Sequence, residues 1–376
     1  MLKRVVLVLG FLSTFSLANA QHETATATAA PNETEANAPL SEKEQSLEEV
    51  NAFKQHHLLD SHSFNIMVEK KADGTEKPIG FPLPVIFYDP ANGLHTMMSS
   101  AFDGDKVVES NGGHYKLYHE KIVKTDASGT ITYDENHHAT NEKVWDFSIT
   151  KSVLMILVTA LLMLWIFGSM AKNYKKSLVP SGFGKLMEPV ILFVRDDIAK
   201  PNIGHNYKKY MSYLLTVFFF ILFLNLFGLM PFGINVTGNI AITLALALIT
   251  FFITQFTANK NYWQHIFWMP GVPIPMKLVM LPIEVLGMFI KPFSLLIRLF
   301  ANMSAGHLIV MSLIGLIYVF KNVIAGVAFP FLTFVLYLLE VLVAFLQAYI
   351  FTMLSAVYFG MANEEHGHEG EEGMAH

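Results

Sequence analysis

The pattern of apolar and polar positions splits the chain into a mixed N-terminal part and a long apolar body. From Ser152 to Ala171 no charge interrupts about 20 residues, and Tyr210–Asn259 is also uncharged but breaks at the Pro-, Gly- and Asn-rich stretch Pro231–Asn239. A helix rises about 1.5 Å per residue, so roughly 20 apolar residues cross a hydrocarbon core of about 30 Å. The first stretch therefore predicts one crossing and the second predicts two. Two further blocks, Leu278–Phe320 and Val323–Ala362, exceed a perpendicular span and must tilt, bend or divide. Between the first two crossings, Phe183, Leu186, Met187, Val190, Ile191, Val194 and Ile198 recur at i, i+3, i+4, i+7 between Pro180 and Pro201. That rhythm beside charged residues predicts an amphipathic helix lying in the membrane interface; a plain cytosolic turn is the alternative.

Ahead of the body the period changes. From Phe64 to Phe147 short apolar stretches such as PLPVIFY, HYKLYHEKIV and GTITYDE alternate with DG, NG, NGG and SG turns, the pattern of a small β-rich domain. Residues 21–50 are rich in Ala, Thr, Glu and Pro and bury too little apolar surface to fold alone, so 21–63 reads as a disordered or loosely structured linker. Residues 1–20 carry Lys3 and Arg4, an apolar run to about Leu17 and the small-residue end Ala18-Asn19-Ala20, as in a secretory signal peptide; its core is short for the alternative, a transmembrane anchor. The expected organisation is a signal over 1–20, the linker, an exported domain over 64–147, a membrane domain over 148–363 and an acidic tail over 364–376. The fold class is an all-α polytopic membrane protein of about five crossing helices, two of them long and tilted, with an interfacial helix and a small β-rich exported domain.

Composition narrows the chemistry. Hydrophobic residues make up 52% of the 376 and charged residues 15%, against roughly 25% charged in soluble domains. Cysteine is absent, which excludes disulfides, thiolate metal sites and a cysteine nucleophile. The net charge of −5 conceals an asymmetry: residues 21–150 hold 10 Lys+Arg against 21 Asp+Glu, and residues 151–361 hold 14 against 5. A uniformly basic nucleic-acid binder is excluded by that split. Lysines and one arginine crowd the loop between the first two crossings, from Lys172 to Lys209, and Pro231–Asn239 has none, so the basic loop is cytoplasmic. With the head exported, five crossings leave the C-terminus in the cytoplasm. Nine of the 15 histidines precede residue 150, but without regular ligand spacing they read as surface residues, and no metal or other cofactor is expected. No phosphate-binding loop of the G-x-x-x-x-G-K-[ST] type is present, so nucleotide chemistry belongs to partners.

Ionisable residues inside apolar blocks are functional candidates, because each costs about 2.5–3.5 kcal/mol at a helix centre. They are Glu284, Lys291, Arg298 and His307 in the third block and Glu340 in the fourth, with Asn302 and Gln347 as uncharged companions. Positions 284, 291 and 298 share one seam; Asn302 shares the face of Arg298; His307 looks the opposite way, about 13.5 Å further along. If the two blocks form an antiparallel hairpin with its apex at Lys321-Asn322, Arg298 lies level with Gln347 and His307 level with Glu340. Lys291 reads as a snorkelling lysine. Arg298 is too deep to snorkel and stays charged at every relevant pH.

The run KPFSLLIRLFANMSAGHLI (Lys291–Ile309), followed by LEVLVAFLQAYIFTMLSAVYFGMANEEH (Leu339–His366), resembles subunit a of the F-type ATP synthase membrane sector, and NLFGLMP (Asn225–Pro231) is similar too. The resemblance covers about residues 145–366. It implies a proton-conducting stator, not an enzyme by itself, set beside a rotating c-ring in the cell inner membrane, with a periplasmic N-terminal domain and with the subunit b peripheral stalk and the remaining synthase subunits as partners. Arg298 matches the essential arginine, Asn302 its neighbour, Gln347 the glutamine facing it and Glu284 an acidic position near the cytoplasmic exit. The chain departs from many relatives in carrying His307 where they have Glu and Glu340 where they have His, an exchange that keeps a carboxylate–imidazole pair. Gly228 stands where some relatives carry Asp. A secondary proton or cation antiporter also keeps charge at mid-membrane, but with inverted repeats that this chain lacks. A purely structural anchor leaves Arg298 unexplained.

Overall fold

The computed structural model describes residues 60–70, 76–102, 106–134, 139–175, 182–230, 234–268, 273–320 and 323–363. The expected signal peptide, nearly all of the linker and the acidic tail lie outside them. The described part is mostly helical, with β-structure confined to residues 63–146 and five helical stretches long and apolar enough to cross a membrane.

In the β-region, β1 (Ser63–Lys70) pairs antiparallel with β2 (Glu76–Pro82). β3 (Pro84–Asp89) lies between β4 (Gly93–Met98) and β8 (Trp145–Asp146), and β5 (Val108–Ser110), β6 (Gly113–Tyr118) and β7 (Lys121–Thr125) form a third sheet in that order. Turn chemistry sets the hairpins. Asn111 and Gly112 between β5 and β6 have φ of 48° and 83°, the left-handed pair that a tight hairpin requires. Val85, Phe87, Phe102, Tyr115 and Ile122 form the small core. Asp89 lies at its polar edge, accepting hydrogen bonds from Tyr115 at 2.7 Å and Asn92 at 3.0 Å and pairing with Lys124 at 3.1 Å. Burial opposes ionisation of Asp89, but the Ala91 amide, Tyr115 and Lys124 outweigh it and hold its pKa down to about 2.

The β-region is bonded directly onto the first membrane helix, α1 (Lys151–Tyr174). After β8 the chain keeps pairing with β3 through Phe147 N–H to Ile86 O and Ile149 N–H to Pro84 O. Thr150 then caps the helix, while Asp60 accepts from the Thr150 hydroxyl at 2.9 Å and from the Ser152 N–H at 3.2 Å. A carboxylate at a helix N-terminus meets unsatisfied N–H groups and the positive end of the dipole. Beside it, buried His62 bonds Asp146 at 2.7 Å and pairs with Glu120 at 3.5 Å. Burial pulls the imidazole pKa down, but the two carboxylates more than reverse this and raise it to about 9.

A folded-state pKa above the ordinary value of 6.5 means stability that is complete below pH 6.5 and is lost as pH rises through 9. We expect amide exchange at the start of α1 to be slow and flat from about pH 5 to 6.5, after correction for intrinsic rates, and to accelerate towards pH 9; His62→Gln should abolish that dependence. The stabilisation involved is on the order of 3 kcal/mol.

The chain continues through α2 (Gly184–Phe193), a π-helical turn over Val194–Ala199, α3 (Lys200–Ile203), α4 (Tyr207–Leu229), α5 (Ile240–Thr257), a short α6 (Lys260–Phe267), α7 (Ile274–Phe320) and α8 (Val323–Asn363). The amphipathic stripe exists as a helical segment but is divided: Met187, Val194 and Ile198 join the protein core, whereas Phe183 and Leu186 stay exposed. The extra residue of a π-turn rotates the following face. α6 was not expected from the sequence, because its eight residues, KNYWQHIF, are mostly polar. α7 has 47 residues and α8 has 41; Lys321-Asn322, the expected apex between them, lies outside the described residues.

In lipid, helix association depends on close packing and interhelical hydrogen bonds because apolar burial no longer drives it. The end of α8 shows both. Asn363 donates to the Tyr210 hydroxyl at 2.6 Å, and the Asn259 N–H donates to Ala362 O at 2.8 Å. Gly360 lies against the Asn202 backbone, so that a Cβ there would collide with the Asn202 carbonyl oxygen and stand 3.0 Å from its carbon. Gly360→Ala should therefore cost about 1–3 kcal/mol, read as a lower melting temperature in detergent. Gly168→Ala in α1, where a Cβ meets nothing within 4 Å, should be neutral or slightly stabilising.

Candidate functional site

The ionisable residues singled out in the sequence fall on the α7–α8 hairpin, at different depths. Arg298 is more than about 30 Å from either end of α7 at 1.5 Å per residue, and its side chain is half-exposed. Among the described residues no hydrogen bond or ion pair takes up its guanidinium; Tyr358 on α8 is within its electrostatic reach. Asn302, one turn on, is exposed, as are the small residues Ala301 and Ala305 beside it. Gln347 is buried at 2% exposure and Glu340 at 7%. Polar groups of α7 thus look outward at this level while those of α8 look inward.

Glu340 reaches α7 at Gly306, the residue before His307. A Cβ on Gly306 would stand 3.2 Å from the Glu340 Cγ and Cδ and closer still to Oε1, so the missing side chain makes room for the carboxyl group. Oε1 is enclosed without a hydrogen-bond partner among the described residues. Desolvating such a group is costly, which makes Glu340 a functional-site candidate. His307 is half-buried on the same turn of α7.

Three polar residues that the sequence reading did not assign adjoin this level. Asn225 on α4, fully buried, donates to Ala344 O at 3.3 Å and accepts from the Thr237 hydroxyl at 2.8 Å. Asn235 donates to Met303 O at 3.2 Å. Together they run from the Ile234–Asn239 turn to α7 and α8, and Ala344 is one helical turn from Glu340. The signal that could have found Asn225 is an uncharged polar residue inside an otherwise apolar span; Asn235 and Thr237 were hidden in a stretch read only as a turn.

At the other end of the hairpin, Glu284 is half-buried and lies within electrostatic reach of Lys291, whose ammonium sits 5.7 Å from the Tyr358 ring. Tyr358 is thus within reach of both Lys291 and Arg298, and with Lys291, Gln255 and Tyr262 it lines a small, mostly apolar cleft. Glu284 and Glu340 are thus brought to separate regions on either side of Arg298, and the structure gives no direct contact between them.

Residues 153–360 match the family model described as ATP synthase A chain. That is more than half of the chain. The chain belongs to the ATP synthase A chain family. It is 48% identical over 237 residues to "ATP synthase subunit a" of Chlorobium phaeobacteroides (strain BS1), covering 60% of this chain and 69% of the relative. It is likewise 48% identical over 239 residues to "ATP synthase subunit a 2" of Chlorobaculum tepidum, covering 61% and 67%. A more distant relative, "ATP synthase subunit a" of Anaeromyxobacter sp., is 43% identical over 263 residues, covering 67% and 61%. Residues 53–147 match a domain of unknown function, DUF8433. As a member of the F-type subunit a family, the protein is a multi-pass membrane subunit of ATP synthase, takes part in proton transport for ATP synthesis, and assembles with the other synthase subunits.

Proposed function

We propose that this chain is the stator of the synthase membrane sector, with two offset half-channels separated by Arg298 and with a rotating c-ring on the face of α7 that carries half-buried Arg298 and exposed Asn302. The observation that carries this reading is the outward display of a permanent charge and an amide at mid-membrane, flanked by small residues, with no partner for the guanidinium among the described residues. Such a surface is unfavourable against lipid and suits a partner helix that approaches closely and brings a carboxylate.

The mechanism follows from charge. An arginine does not lose its proton, so it attracts a ring carboxylate and holds it ionised, which bars direct proton passage. Protons enter from the exported side along the Asn225, Glu340 and His307 level and neutralise the ring carboxylate, which then turns into lipid. They leave on the other side of Arg298 past Glu284 after nearly a full rotation. Gln347, buried on α8, is in this reading the residue level with Arg298. Each unit charge crossing 100 mV releases about 2.3 kcal/mol, available as torque. In this reading the protein lies in the cell inner membrane with the β-domain periplasmic, the Lys172–Lys209 loop and the C-terminus cytoplasmic, and the subunit b stalk holding it against rotation.

Because the chain has no cysteine, a single introduced thiol reports on one position. Asn302→Cys in the whole complex should form a disulfide with a cysteine placed beside the c-ring carboxylate, whereas Ala344→Cys, whose parent residue is buried, should not. Failure of the first cross-link in an assembled complex overturns the ring-facing assignment.

A further inference from the structure

The β1–β2 hairpin has no part in the proton path, yet it packs against the turn that carries the inlet residues. Phe64 of β1 packs on the apolar cluster of Leu224, Ile234 and Val236, together with Met155 and Ile156 of α1. Its ring stacks on Phe81 of β2, centroids 4.9 Å apart. Ile234 immediately precedes Asn235, which is bonded to α7, and Val236 immediately precedes Thr237, which is bonded to Asn225. Within the turn the contacts include Val236 N–H to Ile234 O at 2.9 Å and Gly238 N–H to the Asn235 side chain at 2.8 Å, and Ser304 of α7 adds a bond to Gly238 O at 3.4 Å. A turn without a hydrogen-bond ladder of its own takes its position from what packs on it. The start of β1 is in turn tied to α1 through Asp60 and to β8 through His62.

We infer that the exported β-domain is a clamp on the inlet: Phe64, packed on the cluster that includes Ile234 and Val236, holds this turn against α7 and so positions Thr237 beside Asn225. The inference rests on the inlet reading above and gives the residues that match a domain of unknown function a physical task. Phe64 is a positioning residue, acting through the turn.

The test uses the whole complex in vesicles whose exported side faces outward, with Thr237→Cys as the only thiol and a membrane-impermeant thiosulfonate as the probe. Adding Phe64→Ala should speed modification of that thiol by about fivefold or more, the lower range of coupling between linked sites. It should also slow proton-driven ATP synthesis measured without the cysteine, whereas Phe64→Leu should restore both towards the parent values. Ile122→Cys, in the core of the β-region and away from the turn, should react equally with and without Phe64→Ala. Equal modification of Thr237→Cys in the two backgrounds overturns the clamp, and so does acceleration at both cysteines, which marks general loosening. Glu340→Gln in the same vesicles separates the two readings. Should synthesis survive that change, the inlet assignment fails, while the labelling rates still decide whether Phe64 holds the turn.

Discussion

Arg298→Ala is expected to abolish proton-coupled ATP synthesis in vesicles carrying the complete synthase, with insertion and assembly unchanged. The side chain is half-exposed, and no hydrogen bond or ion pair among the described residues takes up its guanidinium, so removal leaves no orphaned internal partner and folding has little to lose. The functional loss is total for an electrostatic reason. An opposite charge within about 4–6 Å lowers a carboxylate pKa by 1–3 units, and without it a ring carboxylate stays protonated as it passes the stator. Rotation and proton flow then uncouple, and passive proton conductance remains. Arg298→Lys is expected to fail as well, because an ammonium is a strongly hydrated point charge and, unlike guanidinium, loses its proton readily when desolvated. Synthesis at the parental rate in Arg298→Ala would remove the basis of the proposed mechanism.

The second large effect concerns the carboxylate–imidazole exchange. His307→Glu would bring a second carboxylate to the turn of α7 that already receives Glu340, and like charges at one site push one of them towards the neutral form. Glu340→His would remove the buried acid altogether. Each single change should cut synthesis to a small fraction of the parent. The double change restores one acid and one imidazole and should recover on the order of tenfold over the additive expectation, within the range of about 0.5–3 kcal/mol for residues that share a site. Measuring synthesis in all four backgrounds gives the coupling directly. Strictly additive losses would show that the two side chains act independently. Gly306→Ala offers a check that leaves both side chains in place: the added methyl would enter the space taken by the Glu340 carboxyl group and should reproduce much of the Glu340→His loss.

Much of the architecture was legible in the residue pattern because membrane spans impose strong local rules. Twenty apolar residues in succession can only be buried or span, and the five crossings read from the sequence correspond to five helical stretches long and apolar enough to do so. The β-region was readable from alternation and from Asn-Gly turns whose φ values are left-handed. Helix α6 was not, because eight mostly polar residues carry no periodic signal distinct from a loop. Nor was the inward fate of Met187, Val194 and Ile198: an amphipathic stripe specifies that one face is apolar, and leaves open whether lipid or protein covers it.

The sequence by itself determined which residues are ionisable inside the bilayer and, through helical spacing, which of them share a face, because those depend only on composition and on 3.6 residues per turn. Tertiary structure decided what each face meets. Placing Glu340 in the space left open by Gly306, linking Thr237 to Asn225 and Asn225 to α8, and packing Phe64 on the cluster of Leu224, Ile234 and Val236 all join residues far apart in the chain. Such pairings depend on how whole helices and sheets pack in three dimensions, and no local pattern encodes that.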